Sequence, residues 1–588
     1  MKKVFFSAAA LMCGTMMFAQ SNNSDVDQIG NNNGSTVTQA GMTNDSDVDS
    51  IGDNNVSSVD QDGTSNTSQV LQDATWQATA NDNDSTVEQD GTSNDSFVWQ
   101  DGDDQTSTVD QDGTSNSSYV DQYGTGSTSA VTQNGDDNDA ALFQGYLGTD
   151  HNSAVNQQGD DNASYTFQNG DANDSQVDQI GDGNDSDVFQ DGNLNVSDVD
   201  QDGDDNTSDV DQFGTANDSF VWQDGNDNDS EVIQDGDGNI SYVDQWGDSN
   251  ISSVDQDGDG NDSEVEQWGD SNDSSVDQVG DTNTSDVFQL GDANIARTYQ
   301  GGTDNLSTID SDGNGNFADT AQQGTLNDSS VDQIGDDNDS EVDQQGNSNI
   351  ARTYQGGSDN ESTIFSQGDN NFADTAQQGT FNTSSVDQIG NDNFSEVDQQ
   401  GNYNGSGVSQ TGDDNISDTF QSGDANGSTT IQTGNTNESY VDQIGTNNAS
   451  FVSQVGDLND SDVDQNGMLN NSTVMQMGDS NASVVAQDGS NNGSLVMQLG
   501  DSNTSNVDQD GTFNTSGVAQ IGTLHLSNVT QNGNNNTSGV GQGGTQHISN
   551  VNQLGDFNTS TVIQTGNTHV SDVDQIGNNN SSTVTQMD

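Results

Sequence analysis

Residues 195–225 read NVSDVDQDGDD, NTSDVDQFGTA, NDSFVWQDG: one eleven-residue phrase, N-x-S-x-V-x-Q-x-G-x-x, repeated in succession. Almost the whole chain is this phrase. A fixed short period constrains the fold more than any other feature, because every copy must meet the same packing problem in the same way. Asn206, Ser208, Val210, Gln212 and Gly214 are spaced by two, as are Asn195, Ser197, Val199, Gln201 and Gly203 before them. Alternate residues of a strand share a face, so each set of five points one way, while Thr207, Asp209, Asp211 and Phe213 point the other. The fixed set at period two predicts a short strand. The glycine, followed by Asp, Asn, Ser or Thr, predicts a tight turn after it.

One valine per phrase cannot build an ordinary hydrophobic core, and Asn, Ser and Gln are costly to bury unpaired. Stacking resolves both problems. Phrases piled about 4.8 Å apart put identical side chains in columns, where each amide can bond the next. The expected fold is all-β: a β-solenoid of stacked strand–turn–strand rungs with amyloid-like cross-β pairing. The rung is expected to hold two eleven-residue arcs. His525, His547 and His569 take the asparagine place in every second phrase, and Trp246 and Trp268 are also 22 residues apart. In a two-arc rung the three histidines form one column, along which neutral imidazoles could pass a hydrogen bond. A second repeat has the other parity. NIARTYQGG begins at Asn294 and returns at Asn349, 55 residues on. That odd number of arcs swaps the two sides of the rung, which requires the sides to be nearly equivalent.

Residues 1–20 differ from everything after them: Lys2 and Lys3, an apolar run, then Ala19. They are expected to be a secretory signal peptide. Cys13, the only cysteine of the chain, lies inside it, so disulfides and thiol chemistry are excluded from the remainder. Residues 21–588 are expected to form the repeat solenoid, with irregular breaks near 71–86 and 143–154 where the valine register slips. No later apolar run is long enough to span a membrane. No proline interrupts the ladders. The sequence ends within a phrase, at Gln586-Met587-Asp588, and both ends of the stack are expected to present open strand edges.

Acids number 99 against 4 Lys and Arg, a net charge of −95. That excludes nucleic acid as a partner, since phosphate contacts need basic groups. High charge with low hydrophobicity is also the composition of disordered chains, but an unbroken register argues for order. Asp47 and Asp49 flank Val48, Asp198 and Asp200 flank Val199, and Asp462 and Asp464 flank Val463. Stacked, they make outward columns of like charge, with a repulsion of about 0.9 kcal/mol per neighbouring pair even in water. No resident cofactor is expected, and metal ligands cannot be assigned. The columns are, however, a place for loosely held calcium or other cations. The run from Asp255 to Glu266 fits the calcium-loop spelling D-x-[DN]-x-[DN]-G-x5-E. Val254 and Val265 hold the repeat register there, so a turn and strand are expected in place of flanking helices. No catalytic constellation is present, and the chain is not expected to be an enzyme. Phe97, Trp99, Phe220 and Trp222 are outward aromatics, candidates for adhesion or lateral packing.

The phrase resembles the curlin repeat, the unit of curli-type fibre subunits, whose pattern contains Q-x-G-x-G-N-x-A-x3-Q. Gln201, Gly203, Asn206 and Gln212 stand at matching places, with Ser208 where the pattern has alanine and Asp205 where it has its second glycine. The departures are the chain's length and its charge. The resemblance implies a secreted structural protein of the bacterial cell surface. It also implies self-association into extracellular amyloid fibres for biofilm matrix, adhesion and cell aggregation, a curli-type nucleator, and export through a curli-type outer-membrane channel. The alternative is a monomeric acidic β-solenoid that binds cations or surfaces. An ice-binding version is disfavoured because outward Thr pairs such as Thr36 and Thr38 are occasional and Asp dominates.

Overall fold

The computed structural model describes residues 21–73, 79–145 and 148–588. The expected signal peptide lies outside these residues, as do parts of both irregular stretches. Among the described residues there are fifty-one strands, from Asn23–Ile29 to Ser581–Met587, and no helix. Each strand is one phrase, closed by a turn of constant shape. In the arc from Asn206, Gly214 has φ 112° and Ala216 has φ 59°. The second of these places is the left-handed one. It is held by Asp205 and by Leu194 in neighbouring arcs, with φ 57° and 59°. Asp and Asn take that conformation readily, whereas Leu and Ala take it at a cost that the surrounding ladders offset.

The chain divides into two units, Met1–Thr282 and Asn283–Asp588. Within each, successive strands alternate between two sheets, and each strand pairs in parallel with the strand two along. In the first unit Val188 pairs with Val210 and Val210 with Val232. In the second, Val441 pairs with Val463 and Val463 with Val485. Each is therefore a parallel β-solenoid with a 22-residue rung. The irregular stretches of the first unit leave this register intact. Val59 pairs with Val87 and Val70 with Val98, so both sheets step over the first insertion together. Val131 pairs with Val155, and Leu142 with Thr166, across the second. In the second unit the two copies of the longer repeat, Ile295–Thr303 and Ile350–Ser358, lie in opposite sheets. The core holds a valine column, such as Val441 to Val573, flanked by Asn, Ser and Gln that are buried as fully as the valines.

Candidate functional site

The glutamine column is the strongest feature of the interior. Gln190 Nε2 donates to Gln212 Oε1 at 2.8 Å, and Gln212 Nε2 donates to Gln234 Oε1 at 2.9 Å. The Gln212 amide also donates to the Val196 and Asn217 carbonyls, at 2.8 and 3.1 Å. The asparagine column is built differently. Asn184 Oδ1 accepts from the backbone N–H of Asn206 at 3.0 Å, and Asn206 Oδ1 accepts from that of Asn228 at 3.0 Å. The Asn206 amide donates to the Gly225 carbonyl of the next rung's turn at 2.9 Å. Glutamine therefore links rung to rung by side chains, while asparagine ties each turn to its successor and adds a side-chain bond in places, as from Asn228 Nδ2 to Asn206 Oδ1 at 3.1 Å.

Serine does neither. Ser197 and Ser208 are buried with no hydrogen-bond partner for Oγ. At a rung spacing of about 4.8 Å most stacked serine hydroxyls fall short of one another, although Ser57 Oγ donates to Ser35 Oγ at 3.0 Å and Ser329 Oγ to Ser307 Oγ at 3.2 Å. Serine also finds a partner where threonine replaces valine. Ser307 and Thr320 hydroxyls lie 2.7 Å apart, and Ser362 and Thr375 lie 2.6 Å apart, in the two copies of the longer repeat.

The turns carry a further ladder that the sequence reading did not find. The backbone N–H of Asp160 donates to Asp182 Oδ1 at 2.9 Å, Asp182 to Asp204 at 3.0 Å, and Asp204 to Asn226 at 2.9 Å. At these turns the Asp or Asn after the glycine is thus an acceptor for the previous rung. The signal is the prevalence of Asp and Asn at that place, which turn propensity alone also explains.

His525, His547 and His569 stand in one column, with ring centroids 5.0 and 5.1 Å apart and planes within 3° of parallel. The rings do not hydrogen-bond one another, because ring lone pairs and N–H bonds lie in planes that stack face to face. Each ring stands in for an asparagine. His525 Nδ1 accepts from the His547 backbone N–H at 3.3 Å, and His547 Nδ1 accepts from that of His569 at 3.1 Å. The Nε2 atoms lie 3.3, 3.0 and 3.0 Å from the carbonyls of Ile521, Gly543 and Thr565. This geometry calls for the neutral tautomer protonated at Nε2. Burial, with His547 adding a little, holds the His525 pKa below the ordinary histidine value.

Outward, the acids run in lines. Asp187, Asp209 and Glu231 are consecutive members of one column. The Asp209 carboxyl is held above the ordinary aspartate range by crowding at the surface, then by Asp185 and Asp229. Asp200 is held up likewise, by desolvation first and then by Asp178 and Asp198. Among the described residues no three His, Cys, Asp or Glu side chains converge to hold a metal ion. At Asp255–Glu266 the structure places a strand end, a turn and the strand Asp262–Trp268. Asp121, like Asp101 and Asp244, is buried where most of the outward acids are not. It is 5 % exposed, and burial pushes its pKa up to about 6, with hydrogen bonds from Tyr123 and Tyr119 opposing the rise. Its signal was the outward triplet Tyr119-x-Asp121-x-Tyr123. The outward aromatics also stack: Phe97 on Tyr119 at 4.9 Å, and Trp246 on Trp268 at 5.5 Å.

A strand–turn–strand unit with Gln and Asn columns is thus repeated in register throughout both units. The model of the curlin-associated repeat matches residues 80–113, 108–135, 181–214, 203–236, 225–258, 253–280, 313–346, 368–401 and 440–467. The chain is a curlin-repeat protein. No curated protein matches it. The curlin-repeat segments fall in both units. Repeat and fold together mark a structural or adhesive protein of curli-like kind. No helix of the described residues is long and apolar enough to cross a membrane.

Proposed function

We propose that this curlin-repeat protein is secreted to the bacterial surface and assembles there into extracellular curli-like amyloid fibres. The fibres serve biofilm matrix, adhesion and cell aggregation. One observation supports this reading above the others: the columns are in strict register. Each rung offers the next the same row of backbone groups, the same glutamine amide and the same asparagine oxygen. A second copy set down in that register would meet the partners that each rung already meets within the chain, so growth needs no separately evolved interface. A curli-type channel and nucleator accompany this reading, and the carboxylate columns loosely hold calcium.

The test is direct. The purified chain is incubated, imaged by electron microscopy, and its pellet is examined by fibre diffraction. Filaments with a reflection near about 4.8 Å along the fibre axis are expected. A chain that stays monomeric at every pH and calcium level tried would sink the fibre reading and leave the monomeric, cation- or surface-binding solenoid.

A further inference from the structure

In the second unit the two sheets are not equivalent, contrary to what the odd-parity repeat led the sequence reading to expect. From Gly405–Thr411 to Ser581–Met587, the strands of one sheet contain no Asp, Glu, Lys or Arg. The preceding strand of that sheet, Thr383–Ile389, still carries Asp387. The opposite sheet over the same stretch keeps its acids, among them Asp418, Asp442, Asp462, Asp464 and Asp508. In a chain of net charge −95, a charge-free face nine strands long needs a physical reason.

Glycine supplies a second observation. Gly517 and Gly539 face outward at positions where an added Cβ would meet nothing within 4 Å, and neither has a left-handed φ. Gly541 would meet only the Val562 carbonyl oxygen, at 4.0 Å. Neither backbone conformation nor packing within the chain calls for glycine there, and glycine weakens a strand. Such a glycine marks close approach of another backbone. Together these residues floor a trough of about 300 Å³, walled by Leu495 and Met497 on one side and by Thr561 and Ile563 on the other.

We propose that this face pairs with the same face of a second copy of the chain. Charge argues for that occupant. Two copies that met through any acid-bearing face would set carboxylate columns such as Asp462 and Asp464 against one another, whereas here they meet through Thr, Gly and apolar side chains. Area argues the same way. Nine strands of seven or nine residues cover roughly 40 by 25 Å, on the order of the 800 Å² that each partner gives to a stable interface. Relief is self-complementary under a two-fold axis. The ridge of Leu495 and Met497 enters the partner's glycine trough, and the partner's ridge enters this one. Asp457, Asp479 and Asp501, in the turns beside the face, remain in water as a charged rim. The pairing does not rest on fibre growth, which runs along the ladders and not across them.

The experiment is sedimentation velocity on the soluble, freshly purified full chain at micromolar concentration, with filament mass scored separately by pelleting. A dimer is expected. The Gly517→Asp/Gly539→Asp double variant should raise the dissociation constant about a hundredfold or more, with the far-ultraviolet circular dichroism unchanged. Thr561→Asp on the same face should do the same, and it decides the matter if the glycine variants lose β-structure. Thr530→Asp adds the same charge to the opposite sheet and should leave the dimer intact. A monomeric parent chain overturns the proposal, as do dimers that survive Thr561→Asp or that are lost equally with Thr530→Asp. Loss of filaments with dimers intact would instead count against the fibre reading alone.

Discussion

A fully buried glutamine is normally a liability, and here it is what holds one rung to the next. Replacing Gln212 with Leu removes donors to Gln234, Val196 and Asn217 and strands the Gln190 amide. Each buried group left unpaired costs about 1–3 kcal/mol. The denaturation midpoint should fall accordingly, and amide exchange should quicken in the rungs on either side. Asp209→Asn is expected to be neutral or stabilising, since crowding and Asp185 already disfavour its charged form. If Asp209→Asn proves the more damaging of the two, the inner and outer faces have been assigned the wrong way round. His525 gives a pH test of opposite sign to that of the acids. Its pKa is lowered in the fold from 6.5, so the unfolded chain takes up the proton first. Its contribution is whole above about pH 6.5 and is lost as pH falls below that value. Nitrogen-15 chemical shifts should report a neutral ring protonated at Nε2 at pH 7. A ring protonated at Nδ1 would contradict the geometry.

At the scale of a single arc, the turn glycine answers to stacking as much as to conformation. A Cβ on Gly214 would collide with the carbonyl oxygen of Gly236, in addition to the strain of its positive φ. Gly214→Ala should therefore destabilise by on the order of 3 kcal/mol. Gly517→Ala, in open space, should stabilise the monomer by about 0.5–1 kcal/mol. Denaturant midpoints of the two variants should move in opposite directions. The arc itself was legible in the sequence. Period two told which face Asn206, Ser208, Val210 and Gln212 share, and the histidine spacing gave the rung. What hid was anything decided by reach or by direction in space. No pattern of letters says that most serine hydroxyls fall short of the step that a glutamine spans, or that Asp182 caps the backbone of the rung before it. Stacked imidazoles likewise look like a relay until ring planes are known. The burial of Asp121 depends on Tyr119 and Tyr123 leaning together over it, which alternation alone does not encode.

For the molecule as a whole, the raised carboxylates set the response to acid. Their folded pKa values lie above the ordinary aspartate value of 3.8, up to about 6 at Asp121. The folded form therefore binds protons more tightly than the unfolded one. The resulting stabilisation is fully present below about pH 4 and is lost as pH rises through the folded values. Many acids contribute in this sense, against two lowered histidines, His151 and His525. We expect β-content to rise and filament lag to shorten between pH 8 and pH 4, or on addition of calcium at pH 8. Equal lag times at the two pH values would remove charge as the control. The composition of the interior has a thermal consequence as well. Heat capacity rises on unfolding because apolar surface becomes wet, and exposed polar surface subtracts from that rise. An interior of amide columns around two lines of valines, one from each sheet, exposes far more of the second kind than an ordinary core does. Calorimetry should give a heat-capacity increment well below about 12–15 cal/mol/K per residue. The stability curve would then be broad and shallow, and the protein would change little in strength between cold water and warm.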